Sequence, residues 1–242
     1  MRRLYLADLH LEDPQGPHFR AFAGLLDAAA DRLDEVYLLG DLCEVWVGDD
    51  DDGPLASALT RSLAAAASRC RVRLMHGNRD FLFGERLASG TGVELITDPH
   101  VLEADTLLAH GDAFCIDDQA YQALRATLRS PAWQQDVLGR PLADRRALAA
   151  SMRAQSRDSN ANKAANIMDV NAGEVARVMA LHGARRLIHG HTHRPGRHVE
   201  PWGERWVLGA WERCGWALLE DDRSALHLRC FPLEGDPSAV LG

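Results

Sequence analysis

Five short segments of this 242-residue chain each place metal-binding side chains just past an apolar run. They are Asp8-Leu9-His10, Gly40-Asp41, Gly77-Asn78-Arg79-Asp80, His110-Gly111-Asp112 and Gly190-His191-Thr192-His193. Four of the preceding runs (Arg3 to Ala7, Val36 to Leu39, Val72 to Met75, Arg186 to Ile188) are short, rich in Val, Leu and Ile, and bounded by turn residues, which predicts buried parallel strands. The candidate ligands therefore stand at strand ends. Open α/β sheets form their sites in the crevice outside the carboxyl ends of the strands, and imidazoles, carboxylates and one amide suit a borderline divalent ion such as Mn, Fe or Zn. Together these features predict a metal-dependent hydrolase.

A chain of this length can bury a full core and is compatible with one α/β domain carrying an insertion. Its 35 acidic residues outnumber its 27 basic ones, for a net charge of −8, which argues against a broad electrostatic grip on nucleic acid. Five cysteines without C-x-x-C spacing read as buried free thiols in a reducing compartment, with the cytoplasm as the default. The first strand begins too early to leave room for a signal peptide, and no apolar run reaches transmembrane length, so any membrane contact is expected to be peripheral.

From Arg2 to His110 the pattern alternates: a strand to Ala7, a helix from about His18 to Arg32, strand Glu35 to Leu39, helix Leu55 to Ser68, strand Val72 to His76, then strands near Val93 to Ile96 and Thr106 to Ala109. Between Asp117 and about His182 the strand signals vanish in favour of Ala, Gln, Arg and Leu, with breaks at Ser130-Pro131 and Gly139-Arg140-Pro141, which predicts a helical insertion. Arg186 to His189 then returns to the sheet. Arg197 to Glu200, Arg205 to Leu208, Trp216 to Leu219 and Leu226 to Phe231 read as antiparallel strands.

A lone His or Asp after a strand is more often a helix cap or a turn former than a ligand. Five such elements in order are another matter. The series D-x-H, G-D, G-N-x-D, H-G-D, G-H-x-H resembles the calcineurin-like metallophosphoesterases from Asp8 to His193. The resemblance implies an α/β fold, a four-layer αββα sandwich, with residues 1–116 and 183–242 as the core and 117–182 as a helical insertion forming a substrate-binding cap. It implies two divalent metal ions, one held by Asp8, His10, Asp41 and His193 and the other by Asp41, Asn78, His110 and His191, with the bridging Asp41. Two carboxylates against two divalent ions leave about two positive charges, a site that attracts phosphate oxygens.

Many members of that superfamily carry His after Asn in the third motif, where it can protonate a poor leaving group; this chain has Arg79. A sugar phosphate leaving from a diphosphate is already a weak base and needs no such acid. Two readings of Arg79 stand: its planar fork grips a second phosphate, or it pairs with Asp80 or a nearby carboxylate. The insertion adds Arg153, Ser156, Asn160 and Lys163, spaced 3, 4 and 3 apart and so in one stripe on a helix, without obvious Glu partners. All other basic residues of the chain are Arg, which singles out Lys163. A solvated helix face is the plainer alternative.

With Arg79, the pattern M-R-x-x-S-x-x-x-N-x-x-K and Asp117-Asp118 after H-G-D, the chain is similar over nearly its whole length to the UDP-2,3-diacylglucosamine hydrolase family of lipid A biosynthesis. That resemblance implies hydrolysis of UDP-2,3-diacylglucosamine to UMP and 2,3-diacylglucosamine 1-phosphate by metal-activated hydroxide attack on the α-phosphorus. It implies Mn as the preferred metal and peripheral residence on the cytoplasmic face of a Gram-negative inner membrane. Asp41, Asn78, Arg79 and His191 would be catalytic, and Asn78, Arg79, Asp118, Arg153, Ser156, Asn160, Lys163 and His191 would bind substrate; no nucleic acid or protein partner is implied. Leu124, Leu128, Trp133, Val137, Leu138, Leu142, Leu148, Ile167 and Met168 are candidates to cover acyl chains or, equally, ordinary core. The rival activity is that of a soluble metallophosphodiesterase or dinucleoside polyphosphate hydrolase, and the rival outside catalysis is a metal-free scaffold.

Overall fold

A computed structural model describes residues 1–103, 105–161 and 169–242, with the backbone only for 157–161. The strands are β1 (Arg3–Leu6), β2 (Glu35–Leu39), β3 (Arg71–Met75), β4 (Glu94–Ile96), β5 (His100–Glu103), β6 (Thr106–Ala109), β7 (Arg186–His189), β8 (Gly196–Glu200), β9 (Gly203–Val207), β10 (Gly215–Glu220) and β11 (Leu226–Phe231). The helices are α1 (Pro17–Arg32), α2 (Pro54–Ala67), α3 (Glu85–Thr91), α4 (Gln119–Leu128), α5 (Pro131–Leu138), α6 (Leu142–Ala161) and α7 (Ala172–His182).

Two mixed sheets stack face to face. One has the order β11-β10-β1-β2-β3-β4, the other β5-β6-β7-β9-β8. Strands β1 and β2 are buried along their full length, as parallel strands covered on both faces must be, and their unbroken apolar runs reflect it. Outward, Leu4, Leu6, Val36 and Leu38 pack with Phe22, Leu25, Leu26, Leu59 and Leu63 of α1 and α2. Inward, Tyr5, Tyr37, Leu39 and Met75 meet Leu108 and Ile188 of the second sheet and Leu208 just beyond β9. On that sheet's far face Val175, Val178 and Met179 of α7 cover Leu107, Ala109 and Leu187. The result is the four-layer αββα sandwich. Helix α7 falls inside the span 117–182 expected of the insertion, yet it forms the outer layer of the core.

Local signals set most element ends. Pro17 and Pro54 open α1 and α2 at their first positions, where a missing N–H costs nothing. Ser130 accepts from Trp133 N at the head of α5, and Asn171 from Glu174 N at the head of α7, which ends on left-handed Gly183. One expectation needs correcting. Of the four terminal strands read as antiparallel, β8, β10 and β11 are, but β9 also runs parallel to β7. The chain leaves β7, skips one place to lay β8 at the edge, and turns back to fill the gap.

The cysteines also differ from their reading as buried thiols. Cys43 and Cys115 are buried, Cys70 and Cys214 are partly exposed and Cys230 is exposed; the sulfurs of Cys214 and Cys230 lie 2.7 Å apart. Among the described residues no helix is long and apolar enough to cross a membrane.

Candidate metal centre and adjoining clefts

All seven expected ligands follow the C-terminal ends of strands: Asp8 and His10 after β1, Asp41 after β2, Asn78 after β3, His110 after β6, His191 and His193 after β7. Because the two sheets stack, loops from both converge. Five of the seven hold a left-handed backbone, with φ of 56° at Asp8, 48° at His10, 52° at Asp41, 66° at His191 and 56° at His193. Among the other described non-glycine residues only Ser224 does so. Such conformations cost on the order of 1–3 kcal/mol each and persist where surrounding bonds over-determine them.

Those bonds are present. Asp8 N donates to Gly40 O (3.1 Å), His10 N to Asp41 O (3.0 Å), Gly190 N to His110 O (2.9 Å) and Trp211 N to Asp8 O (3.0 Å). Two glycines make the lacing tight: a Cβ at Gly77 would lie 2.1 Å from Asp41 N, and one at Gly190 2.3 Å from Asp8 Oδ2. Asp80, the last residue of the third motif, spends its buried carboxylate on the backbone N–H groups of Asp41, Leu42, Cys43 and Gly77.

The side chains form two overlapping groups. Ligand atoms of Asp8, His10 and His193 lie within 4.8 Å of one another, as do those of Asp8, Asp41 and His110. Asn78 Oδ1 stands 3.0 Å from His110 Nε2 and 2.9 Å from His191 Nδ1. Asp41 lies between, with Oδ2 4.0 Å from His10 Nε2 and Oδ1 3.7 Å from His110 Nε2.

The donor set fits divalent cations. Asp8 Oδ1 is buried without a hydrogen-bond partner among the described residues. His110 Nδ1 lies 2.9 Å from Leu39 O; with the proton there, Nε2 and Asn78 Oδ1 aim lone pairs at the same space, which a cation resolves. Without metal, a proton takes its part. Burial disfavours the His110 imidazolium, but Asp41, Asp112, Asp8 and Asp98 outweigh it and raise the group to about 9. Burial opposes the Asp8 carboxylate as well, yet the imidazoles of His193, His110 and His10 hold it at about 2. His191 goes the other way, lowered to about 4 by burial and by His110.

Two clefts meet at these ligands. A polar one is lined by His10, Asp41, Asn78, Arg79, Asp118, Tyr121, Ser156, His191 and His193, among others. An apolar one, bounded by Trp46, Val47, Phe81, Leu82, Leu124, Leu128, Trp133, Val137, Leu148 and Met152, shares Asn78, Arg79, Tyr121 and Ser156 with it. Five of the insertion's candidate apolar residues thus line one cleft, while Ile167 and Met168 lie outside the described residues. Arg79 makes no ion pair with Asp80, whose carboxylate is engaged elsewhere, and the Arg79 Nε is buried without a partner among the described residues. Asp118 caps α4, accepting from Tyr121 N at 3.1 Å.

Arg153 differs from its reading as a cation without acidic partners, since its Nη2 lies 2.7 Å from Glu12 Oε1 and 2.9 Å from Glu44 Oε1. Both glutamates come from core loops far away in sequence, which a scan of the insertion alone does not find. The backbone of α6 runs through Asn160, whose side chain, like the whole of Lys163, lies outside the described residues. Sequence reasoning also missed Glu44, beside His10, and the network in which Asp112 Oδ2 accepts from Tyr121 Oη (2.6 Å) and Arg125 Nε (2.8 Å). Its only signal was Asp112's place in the fourth motif. Tyr121 in turn stacks on the His191 ring.

No protein-family model matches the chain. Among curated proteins it is similar to the UDP-2,3-diacylglucosamine hydrolase of Cellvibrio japonicus, at 45% identity over 237 residues, 94% of this chain and 97% of that one. The enzyme of the same name from Chromobacterium violaceum is 43% identical over 90% of this chain and 94% of its own. That of Pseudomonas aeruginosa PAO1 is 43% identical over 96% and 100%. Among solved structures, an archaeal phosphodiesterase aligns over 96% of this chain and 100% of its own with a TM-score of 0.49 at 13% identity, too distant to bear on chemistry. With identity above two-fifths along nearly the whole of both chains, this protein belongs to the UDP-2,3-diacylglucosamine hydrolase family.

Proposed function

We propose that the chain hydrolyses the diphosphate of UDP-2,3-diacylglucosamine in lipid A biosynthesis, releasing UMP and 2,3-diacylglucosamine 1-phosphate. The observation that carries this reading is the common wall of the two clefts, where Arg79 stands between a cluster of metal-ligand side chains and an apolar groove. A substrate whose diphosphate adjoins an acylated sugar matches that sequence of surfaces. A soluble nucleotide has no use for the apolar part.

Asp8, His10, Asp41 and His193 would hold one divalent ion and Asp41, Asn78, His110 and His191 the other, with Mn suited to the mix of imidazole, carboxylate and amide. When bound, such ions polarise phosphoryl oxygens and lower the pKa of water. The remaining chemistry belongs to the chain. Arg79 grips the phosphate that departs with the sugar and steadies its charge, and that phosphate leaves as a weak base, so no acid is needed at this position. Ser156, Asn160 and Lys163 would hold the head group from the insertion, whose helices α4 to α6 form the cap. Leu124, Leu128, Trp133, Val137 and Leu148 would cover the acyl chains. Lipid substrate and apolar cleft together favour a cytoplasmic protein resting on the inner membrane surface.

The purified chain supplied with Mn should release UMP from UDP-2,3-diacylglucosamine far faster than it hydrolyses simple nucleotides. In ¹⁸O water the label should enter UMP, because attack falls on the α-phosphorus. Equal turnover of soluble dinucleoside polyphosphates would overturn the lipid reading, and label in the sugar phosphate would overturn the point of attack.

A further inference from the structure

Glu44 lies three residues beyond Asp41, and its two carboxylate oxygens face different parts of the molecule. Oε2 stands 2.8 Å from Nδ1 of His10, an ion-pair contact that a small turn of either side chain would align as a hydrogen bond. Oε1 stands 2.9 Å from Arg153 Nη2 on α6. The far nitrogen of the same imidazole, His10 Nε2, points into the ligand cluster, 3.4 Å from His193 Nε2 and 4.0 Å from Asp41 Oδ2. A neutral imidazole carries one proton, and its position decides which nitrogen is left with a lone pair. A carboxylate beside Nδ1 draws the proton there and leaves Nε2 for a cation, while making the ring a stronger donor.

We propose that Glu44 is a positioning residue for the ion held by Asp8, His10 and His193, and that through Arg153 it ties the seating of helix α6 to that ion. Arg153 then acts on the ligand set through Glu44, with Glu12 as its second anchor. Coupling of this kind is reciprocal: an ion at His10 strengthens the seating of α6, and a properly seated α6 strengthens ion binding. The cap and the metal centre become one cooperative unit. The inference rests on the reading of Asp8, His10 and His193 as metal ligands.

Titration of the metal-free full-length chain with Co²⁺, followed by calorimetry and visible absorption, tests it. The wild type should bind two ions. Glu44→Gln, close in shape but neutral, should weaken one of them about 10- to 100-fold and leave the other near its original affinity. Arg153→Gln should weaken the same ion by less than about tenfold, and should add nothing in the Glu44→Gln background, as expected of two residues acting in series. Two wild-type affinities in Glu44→Gln, or an undiminished Arg153→Gln effect in the double variant, would overturn the coupling while leaving the metal reading intact. Failure of the wild type to bind two ions would instead remove the metal reading and this inference with it. Should Glu44→Gln not fold, Arg153→Gln alone decides, because selective loss of one ion supports the link and unchanged binding of both refutes it.

Discussion

The backbone N–H of Arg79 donates to Asp41 Oδ1 at 2.8 Å, so a residue that lines both clefts also orients, through its main chain, the carboxylate placed between the two ligand groups. The two roles separate on substitution. Arg79→Ala keeps the N–H and should leave metal content unchanged, while kcat on UDP-2,3-diacylglucosamine falls about 10²- to 10³-fold, the loss typical of one charge-stabilising donor. Metal analysis beside steady-state kinetics checks this; metal lost along with activity would return Arg79 to a purely structural role.

Asp41→Ala removes a carboxylate that lies within 4.0 Å of imidazoles from both groups. It should lower bound Mn from two per chain to one or none and abolish turnover. Elemental analysis after reconstitution gives the number, and a variant retaining two ions would show that Asp41 bridges nothing.

Asn160 and Lys163 belong to a stretch of the insertion far in sequence from every expected ligand. If they hold the head group, Asn160→Ala and Lys163→Ala should each cut turnover of the diacyl substrate severely, through lost orientation. Hydrolysis of a small chromogenic phosphodiester, too short to reach them, should stay within about twofold. Parallel losses on both substrates would indicate damage to fold or metal binding.

At the opposite end of the parallel strands, Arg3, Glu35 and Arg71 stand in register as the first residues of β1, β2 and β3. Glu35 accepts from Arg3 Nε, Tyr37 Oη, Arg71 Nη1 and Arg73 Nη1 at 2.8–3.0 Å. Burial works against its ionisation, but Tyr37, Arg73, Arg3 and Arg71 together hold it at about 2, below the ordinary 4.5. The depressed value means that its contribution to stability is complete above pH 4.5 and is lost as pH falls toward 2. Denaturant midpoints should decline across that window. Glu35→Gln should lower stability at neutral pH by about 1.5–3 kcal/mol, the size of a lost charged hydrogen bond, since Arg3 keeps Glu220 and Glu103 as partners, and should flatten the decline. An unchanged acid limb would exclude Glu35 as its source.

What the sequence determined by itself was the order of strand, turn and ligand. That order is local: an apolar run, a glycine or turn residue, then a side chain that the turn must present, as at Gly40-Asp41 and Gly190-His191. The breaks at Pro131 and Gly139 bounded α5 for the same reason. Short or weakly patterned elements escaped, namely α3, whose seven residues include Ser89 and Gly90, and the four-residue edge strand β5 with its alternating exposure. Tertiary structure alone decided which ligands meet. Asp8 and His193 are separated by most of the chain and approach only because two sheets stack with their strand ends on one side. It also gave Arg153 its glutamate partners, set Glu44 against His10 and drew α7 into the core. Pairings between residues so far apart leave no trace in spacing or periodicity, since each partner's neighbourhood in sequence is set by its own helix or turn.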